Sequence, residues 1–470
     1  MSRTREADAR DTIHAFISYV LETEYKNLSD EDVLWAKKAL IDYIGVSAVG
    51  AREHYCDIVV DQIRKWGGTP ECTILFYGDR TSAPLAALAD GVLARAADLD
   101  DVYEDGFLQS YAHILSPLLV AAELKGDCTG KDFITAFTIG TDMNCRMAVT
   151  NKEPCTVSGR YNMFRIFGAV AAVAKLLGFT EGELHDALGI AYGMAHGELQ
   201  GLRDGTFSCL LASGGFNAQN VITACTLAKR KIPGTKNILD GYYGFYHAFE
   251  NCADRETLLS GLGKEFYGKR ASIKNYPSSR ATHAGIDAAL YLVKENTIDP
   301  REIKKIDIRM FDFCFGIVGS PIEEKRHPKN SEQAKFSYPF CVACALSRKS
   351  VFPEILDEAV VKDALIAGLT DKTDTSVDKG LTKFQAVLTV TMNNGDVFSR
   401  KVTRCIGHPE NPMSFNDVVD KFTKCIRYYS EPAAKHVSEV VDYMSILEKA
   451  KDVHSIPGMI NSRFIKGSVR

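Results

Sequence analysis

Three stretches of this chain gather side chains able to move a proton or hold an anion. In ADLDD, Asp98, Asp100 and Asp101 close an alanine-rich helix, with Glu104 and Asp105 just beyond. The backbone at that end already carries partial negative charge. Carboxylates crowded there are expected to have raised pKa values, which suits a proton acceptor or a cation ligand. The plain alternative is a solvated acidic loop. His113 comes just ahead of a helix expected from Ser116 to Leu124, so an aspartate and a histidine flanking one loop could share a proton. In SIKNYPSSRATHAGIDAAL, Lys274, Ser279, Arg280 and His283 collect where a strand gives way to a helix. Free N–H groups in the first turn of that helix suit an anion, most commonly a carboxylate; a basic surface turn is the alternative. Arg160, Tyr161, Asn162 and Arg165 stand before an alanine-rich helix, and Arg203 and Asp204 follow the expected end of another near Gly201. Lys274 with one of Arg160, Arg165 or Arg203 could clamp carboxylates, while Asp98 or His113 serves as base and the other, or Tyr161, as acid.

These residues need a scaffold, and the periodicity of the chain supplies one. Up to Arg230 apolar residues recur at three and four, as in Ile13, Phe16, Ile17, Val20 and Leu21. Ser29 to Asp32, Thr129 to Asp132 and Thr180 to Glu183 carry helix-start signals. No short repeat appears, so the expectation is a compact helical bundle. Cys72 to Tyr77 is a candidate strand. After Phe266 the pattern alternates at Arg270 to Lys274, Lys304 to Met310, Phe384 to Met392 and Val397 to Val402, the last two joined by the turn Asn393-Asn394-Gly395-Asp396. Helices are expected at His283 to Lys294 and Ser331 to Ala345, and helix returns at Ser414 to Ile426 and Val437 to Ala450. The chain is therefore expected to be mainly α. A large helical domain is formed by residues 1–265 and completed by residues 406–470, with an α+β lid domain of residues 266–405 inserted between. The tail after Ile456 is expected to be loosely held.

Composition narrows the function classes. With 470 residues, 46% hydrophobic and 25% charged, the chain can bury a sizeable core. A formal net charge of −4 without a Lys/Arg-rich run counts against nucleic acid as the main partner. The charged start MSRTREADARD has no apolar signal segment, and no run is long enough to cross a bilayer. The thirteen cysteines are scattered, as reduced and mostly buried thiols of a cytoplasmic protein would be. Cys341 and Cys344 form one CxxC in apolar surroundings, better suited to a buried helix face than to a metal.

Taken in order, DYIGVSAVGA, ADGVLARAADLDD, GAVAAVAKLLGF, LRDGTF, IKNYPSSRATHAGIDAAL, AKFSYPFCVACAL and GHPENPMS resemble the MmgE/PrpD family across roughly residues 10 to 450. The resemblance implies a helical large domain with an α+β lid, usually as a homodimer. It also implies an active site in the cleft between domains, small di- or tricarboxylate substrates, and no metal or organic cofactor. The family's acidic catalytic position falls on Asp98, its loop histidine on His113 and its lid lysine on Lys274. The lid's second catalytic position is Ser279. Departures appear at Val102, where the family has threonine; at Arg160 to Phe164, where many members read Gly-Trp-His-Pro-Thr; and at Leu211 to Gly215, where the middle base is lost. The first expectation is a cofactor-independent hydro-lyase that removes a proton next to a carboxylate. The alternatives are an epimerase of an amino- or imino-dicarboxylate, a decarboxylase, or a family member retired to binding. Replacing Asp98 or Lys274 is expected to abolish turnover with the fold nearly unchanged.

Overall fold

The computed structural model describes residues 11–150, 159–250 and 254–465. Its first core is helical. Ile13–Glu22, Asp30–Gly50, Ala83–Arg95, Ala112–Lys125, Arg165–Leu176 and Asn217–Lys229 bury their apolar faces against one another. The N-cap Ser29 and Asp32 hold each other's backbone N–H groups, and Thr180 with Glu183 and Thr129 with Asp132 do the same. Small residues let these helices approach closely. A Cβ on Gly91 would lie 2.4 Å from the Gly214 carbonyl oxygen, so glycine is what allows the π-helical turn Leu211–Phe216 to rest on the Ala83–Arg95 helix. Phe415–Tyr429, Val437–Ser445 and Ile456–Phe464 pack back onto this same core.

A second core, from Tyr276 to Met392, surrounds a four-stranded sheet. Its strand order is Thr373–Val377, Ile303–Met310, Ala386–Met392, Val397–Val402, with the first pair parallel and the others antiparallel. Ile306, Ile308 and Met310 face inward while Lys305 and Arg309 face solvent, the alternation of a half-buried strand. The helices His283–Glu295 and Tyr338–Arg348 belong to this core. The molecule is thus mainly α with a smaller α+β part.

Local outcomes differ from the sequence expectations at several points. Thr373–Val377 reads TDTSV and is polar on both faces, which is why no strand was expected there. The strand expected over Arg270 to Lys274 shrinks to Ser272–Ile273, because Gly268–Arg270 forms a 3-10 turn. The Cys72 to Tyr77 candidate keeps only Cys72–Thr73. The helix expected from Ser331 breaks after Lys335, where Ser337 caps a new helix opening on Tyr338 and Pro339. Both Cys341 and Cys344 are buried in that second helix. The tail is held where it is described, up to Ile465: Ile456, Ile460 and Phe464 are buried, and the Asn461 side chain donates to the Ile74 carbonyl at 3.0 Å.

Candidate active site

The Ala83–Arg95 helix runs out at Ala96, and the next carbonyls would be buried without partners. Three lysines from distant segments take them. Lys335 donates to Ala96 O at 2.7 Å, Lys274 to Asp98 O at 2.9 Å and Lys421 to Leu99 O at 2.9 Å. All three are almost wholly buried. Cations at a helix C-terminus are electrostatically favoured, so this collar offsets the acidic cluster that the same terminus disfavours. Each lysine also has an acid: Lys335 meets Glu332 at 2.6 Å, Lys421 meets Asp42 at 2.7 Å, and Lys274 meets Asp98 Oδ1 at 2.9 Å.

A two-residue pairing puts Lys274 in reach of Asp98. Asp101 and Val102 lie antiparallel to Ile273 and Ser272, so the strand carrying the lysine runs beside the loop carrying the aspartate. Asp98 itself adopts a left-handed backbone, φ 47°, which turns the chain away from the helix. Arg95 lies 3.3 Å from Asp98 Oδ1 and pairs with both oxygens of Asp100, while Lys274 stands 3.8 Å from Asp100. Burial alone pushes the Asp98 carboxyl up, but Lys274 and then Arg95 outweigh it and hold its pKa below the usual range. This corrects the expectation of a raised value there, since the expected crowding is answered by two cations. Burial does raise Asp100, against the opposing pull of Arg95. Asp101 is pushed up to about 7 by burial and by Asp100, although Ser110 and the Tyr111 N–H bond to it.

Asp98 and Lys274 line one cavity of about 100 Å³ with Ser279, Arg280, Tyr161 and Gln109. Phe107, Leu202, Phe313, Phe336 and Phe384 make much of the remaining wall apolar. The Tyr161 hydroxyl donates to Gln109. Arg280 is held by Glu104 at 2.8 Å and by the Ile406 carbonyl at 3.0 Å. Residues of both cores therefore meet at this hollow. A larger groove of about 920 Å³ between Lys349 and Tyr428 contains neither Asp98 nor Lys274.

The other expected residues are placed differently. His113 is not in a loop: the helix begins at Ala112, and the imidazole is buried within it, off the cavity wall. Burial, then Arg165 and Arg95, push its pKa well down. Among the described residues no hydrogen bond or ion pair joins it to Asp98. His283 is likewise buried off the wall, with Arg280 3.3 Å from its Nδ1; the lysine-bearing junction is interior, not a surface turn. Asn162 has φ 45° and donates to Phe107 O at 3.0 Å, shaping the loop instead of facing the hollow. Arg160 pairs with Glu198 through a backbone bridge, and Arg203 is exposed. Arg165 is buried and lines a neighbouring hollow of about 300 Å³ that shares Tyr161 and Cys209 with the first.

Sequence reasoning passed over Arg95, Gln109, Cys209, Lys335 and Lys421. Arg95 and Lys335 had a signal, since each is a charge set within a run that otherwise reads as buried helix. Lys421 had none. Among the described residues no group of three or more His, Cys, Asp or Glu side chains could hold a metal ion, and no helix is long and apolar enough to cross a membrane.

Known proteins resemble this chain along most of its length. Cis-aconitate decarboxylase of Aspergillus terreus is 22% identical over 450 residues, covering 91% of both chains. The cis-aconitate decarboxylase-like protein oryM of Aspergillus oryzae is 23% identical over 94% of this chain and 96% of its own. The human cis-aconitate decarboxylase is 22% identical over 84% of each. Residues 14–258 match the MmgE/PrpD N-terminal domain and residues 276–445 the MmgE/PrpD C-terminal domain, so the chain belongs to the MmgE/PrpD family.

Proposed function

We propose that this protein is a lyase acting on a small carboxylic acid through a carbanion formed beside a carboxylate, with Asp98 and Lys274 as its catalytic pair. The observation that carries this reading is their contact at 2.9 Å in the wall of a hollow between the two cores. Decarboxylation is the form the relatives' names favour, and the apolar wall suits it. As CO2 leaves, the charge concentrated on the carboxylate oxygens spreads onto the substrate carbon, and apolar surroundings disfavour the concentrated charge more than the dispersed one. The carbon–carbon bond breaks, its electron pair stays on the substrate carbon, and a proton from the Lys274 ammonium quenches it. Two of that ammonium's three N–H groups hold Asp98, which leaves one for substrate. Asp98, kept ionised, orients the ammonium throughout.

Dehydration is the second reading. Here Asp98 removes the proton next to the carboxylate, and the hydroxyls of Tyr161 and Ser279 on the same wall offer a proton to a departing hydroxide. The test is incubation with a panel of di- and tricarboxylates in D2O followed by NMR. CO2 release with deuterium at the vacated carbon supports the first reading, and loss of water supports the second. Deuterium exchange with inversion would replace both by epimerisation. Silence across the panel would remove the catalytic assignment.

A further inference from the structure

In the first hollow the charges cancel among themselves. Arg95 and Lys274 face Asp98 and Asp100, and Arg280 faces Glu104. Among the described residues no cation there is left to balance a ligand. Arg165, in the second hollow, is different. The residue is 1% exposed, its terminal nitrogens donate to Tyr161 O at 3.1 Å and His196 O at 3.0 Å, and among the described residues its Nε has no hydrogen-bond partner. Among the described residues no carboxylate lies within ion-pair distance of it. Burial lowers its pKa to about 10, which leaves it charged at neutral pH. A buried guanidinium held only by two carbonyls and by the Tyr161 ring, 5.7 Å from its centre, still lacks a counter-charge and is costly, and a carboxylate is the planar anion that fits its fork. The neighbours do not supply one. Both His196 nitrogens are taken by the Met194 and Ala212 carbonyls at 3.0 Å. Glu198 lines the same hollow but is exposed, and one of its oxygens accepts from the Gly201 N–H at 2.9 Å.

We propose that Arg165 anchors one carboxylate of the substrate, so that the substrate is a dicarboxylate and not a tricarboxylate. One carboxylate sits on Arg165; the other, the reacting one, lies past Tyr161 and Cys209 beside Lys274, where no spare cation stabilises it. A third carboxylate would be buried without a partner. The assignment of the reacting end rests on the lyase reading above.

Glutarate and tricarballylate, saturated acids with two and three carboxylates, test this by titration calorimetry on the full chain. Glutarate is expected to bind at least about tenfold more tightly than tricarballylate. Arg165→Met is expected to weaken glutarate by about tenfold or more, and Arg165→Lys to recover part of the loss, since the charge survives without the fork. Equal or tighter binding of tricarballylate, or an Arg165→Met protein with unchanged glutarate affinity, would overturn the proposal. If Arg165→Met does not fold, Arg165→Lys carries the test, and an unchanged affinity there overturns it equally. Turnover together with Arg165-independent binding would remove the anchor and leave the lyase. Arg165-dependent binding without turnover on any acid would do the reverse.

Discussion

Replacing Lys274 by methionine is the most informative perturbation, because it removes one charge and little volume. Arg95, Lys274, Asp98 and Asp100 form a neutral set of four, and each is nearly or wholly excluded from solvent. At an effective dielectric of about 20, unit charges 2.9 Å apart attract by about 6 kcal/mol. Desolvation takes back much of this, and breaking such a pair from one side costs about 3–5 kcal/mol. The fold therefore should not be indifferent, as the sequence alone suggested: Lys274→Met is expected to lose about 3–5 kcal/mol in urea unfolding as well as all turnover. Asp98 should then take up a proton more readily, since its chief opposing charge to burial is gone. Asp98→Asn in the same chain removes the stranded carboxylate, and the double variant should be more stable than the sum of the single losses by about 2 kcal/mol or more. Unfolding midpoints of the four proteins close the cycle. Additivity within about 0.5 kcal/mol, or a single variant as stable as the parent, would show that the two charges are not coupled as drawn.

Two further outcomes follow from the same region. Asp101, with a folded pKa near 7 against an unfolded value near 4, binds its proton more tightly when folded. Its contribution to stability is complete below about pH 4 and is lost as pH rises towards 7, by at most about 1.4 kcal/mol per unit; urea midpoints across that window should flatten in Asp101→Asn. Gly214→Ala would set a Cβ 2.2 Å from Gly91 O and 2.7 Å from Arg95 Cγ, so it should displace the arginine that pairs with Asp98 and Asp100. A loss of roughly 1–3 kcal/mol with reduced turnover is expected, and a melting temperature equal to the parent's would contradict the close approach.

Helices were legible in the sequence because their signal is local. The caps at Ser29, Thr129 and Thr180 lie within four residues of what they cap, and the apolar stripes repeat every turn. The same locality hid the strand Thr373–Val377, which exists only because Ile303–Met310 lies alongside it. It also hid the C-terminal helix, whose apolar residues find their place on a core begun more than 300 residues earlier. Family resemblance marked Asp98 and Lys274, and both line the hollow. It marked His113 as well, and that residue lies in the first turn of the helix that opens at Ala112.

By itself, the order of residues determined the family, the mainly helical class and the presence of a carboxylate and a lysine worth watching. Which charge neutralises which was left to the tertiary structure. The carbonyls after Ala83–Arg95 are met by lysines 176, 239 and 322 residues away, and among the described residues Arg165 is left without an acid. Coulombic partners are chosen by distance in space and by the water that packing excludes, and neither quantity is written in the spacing of residues along the chain.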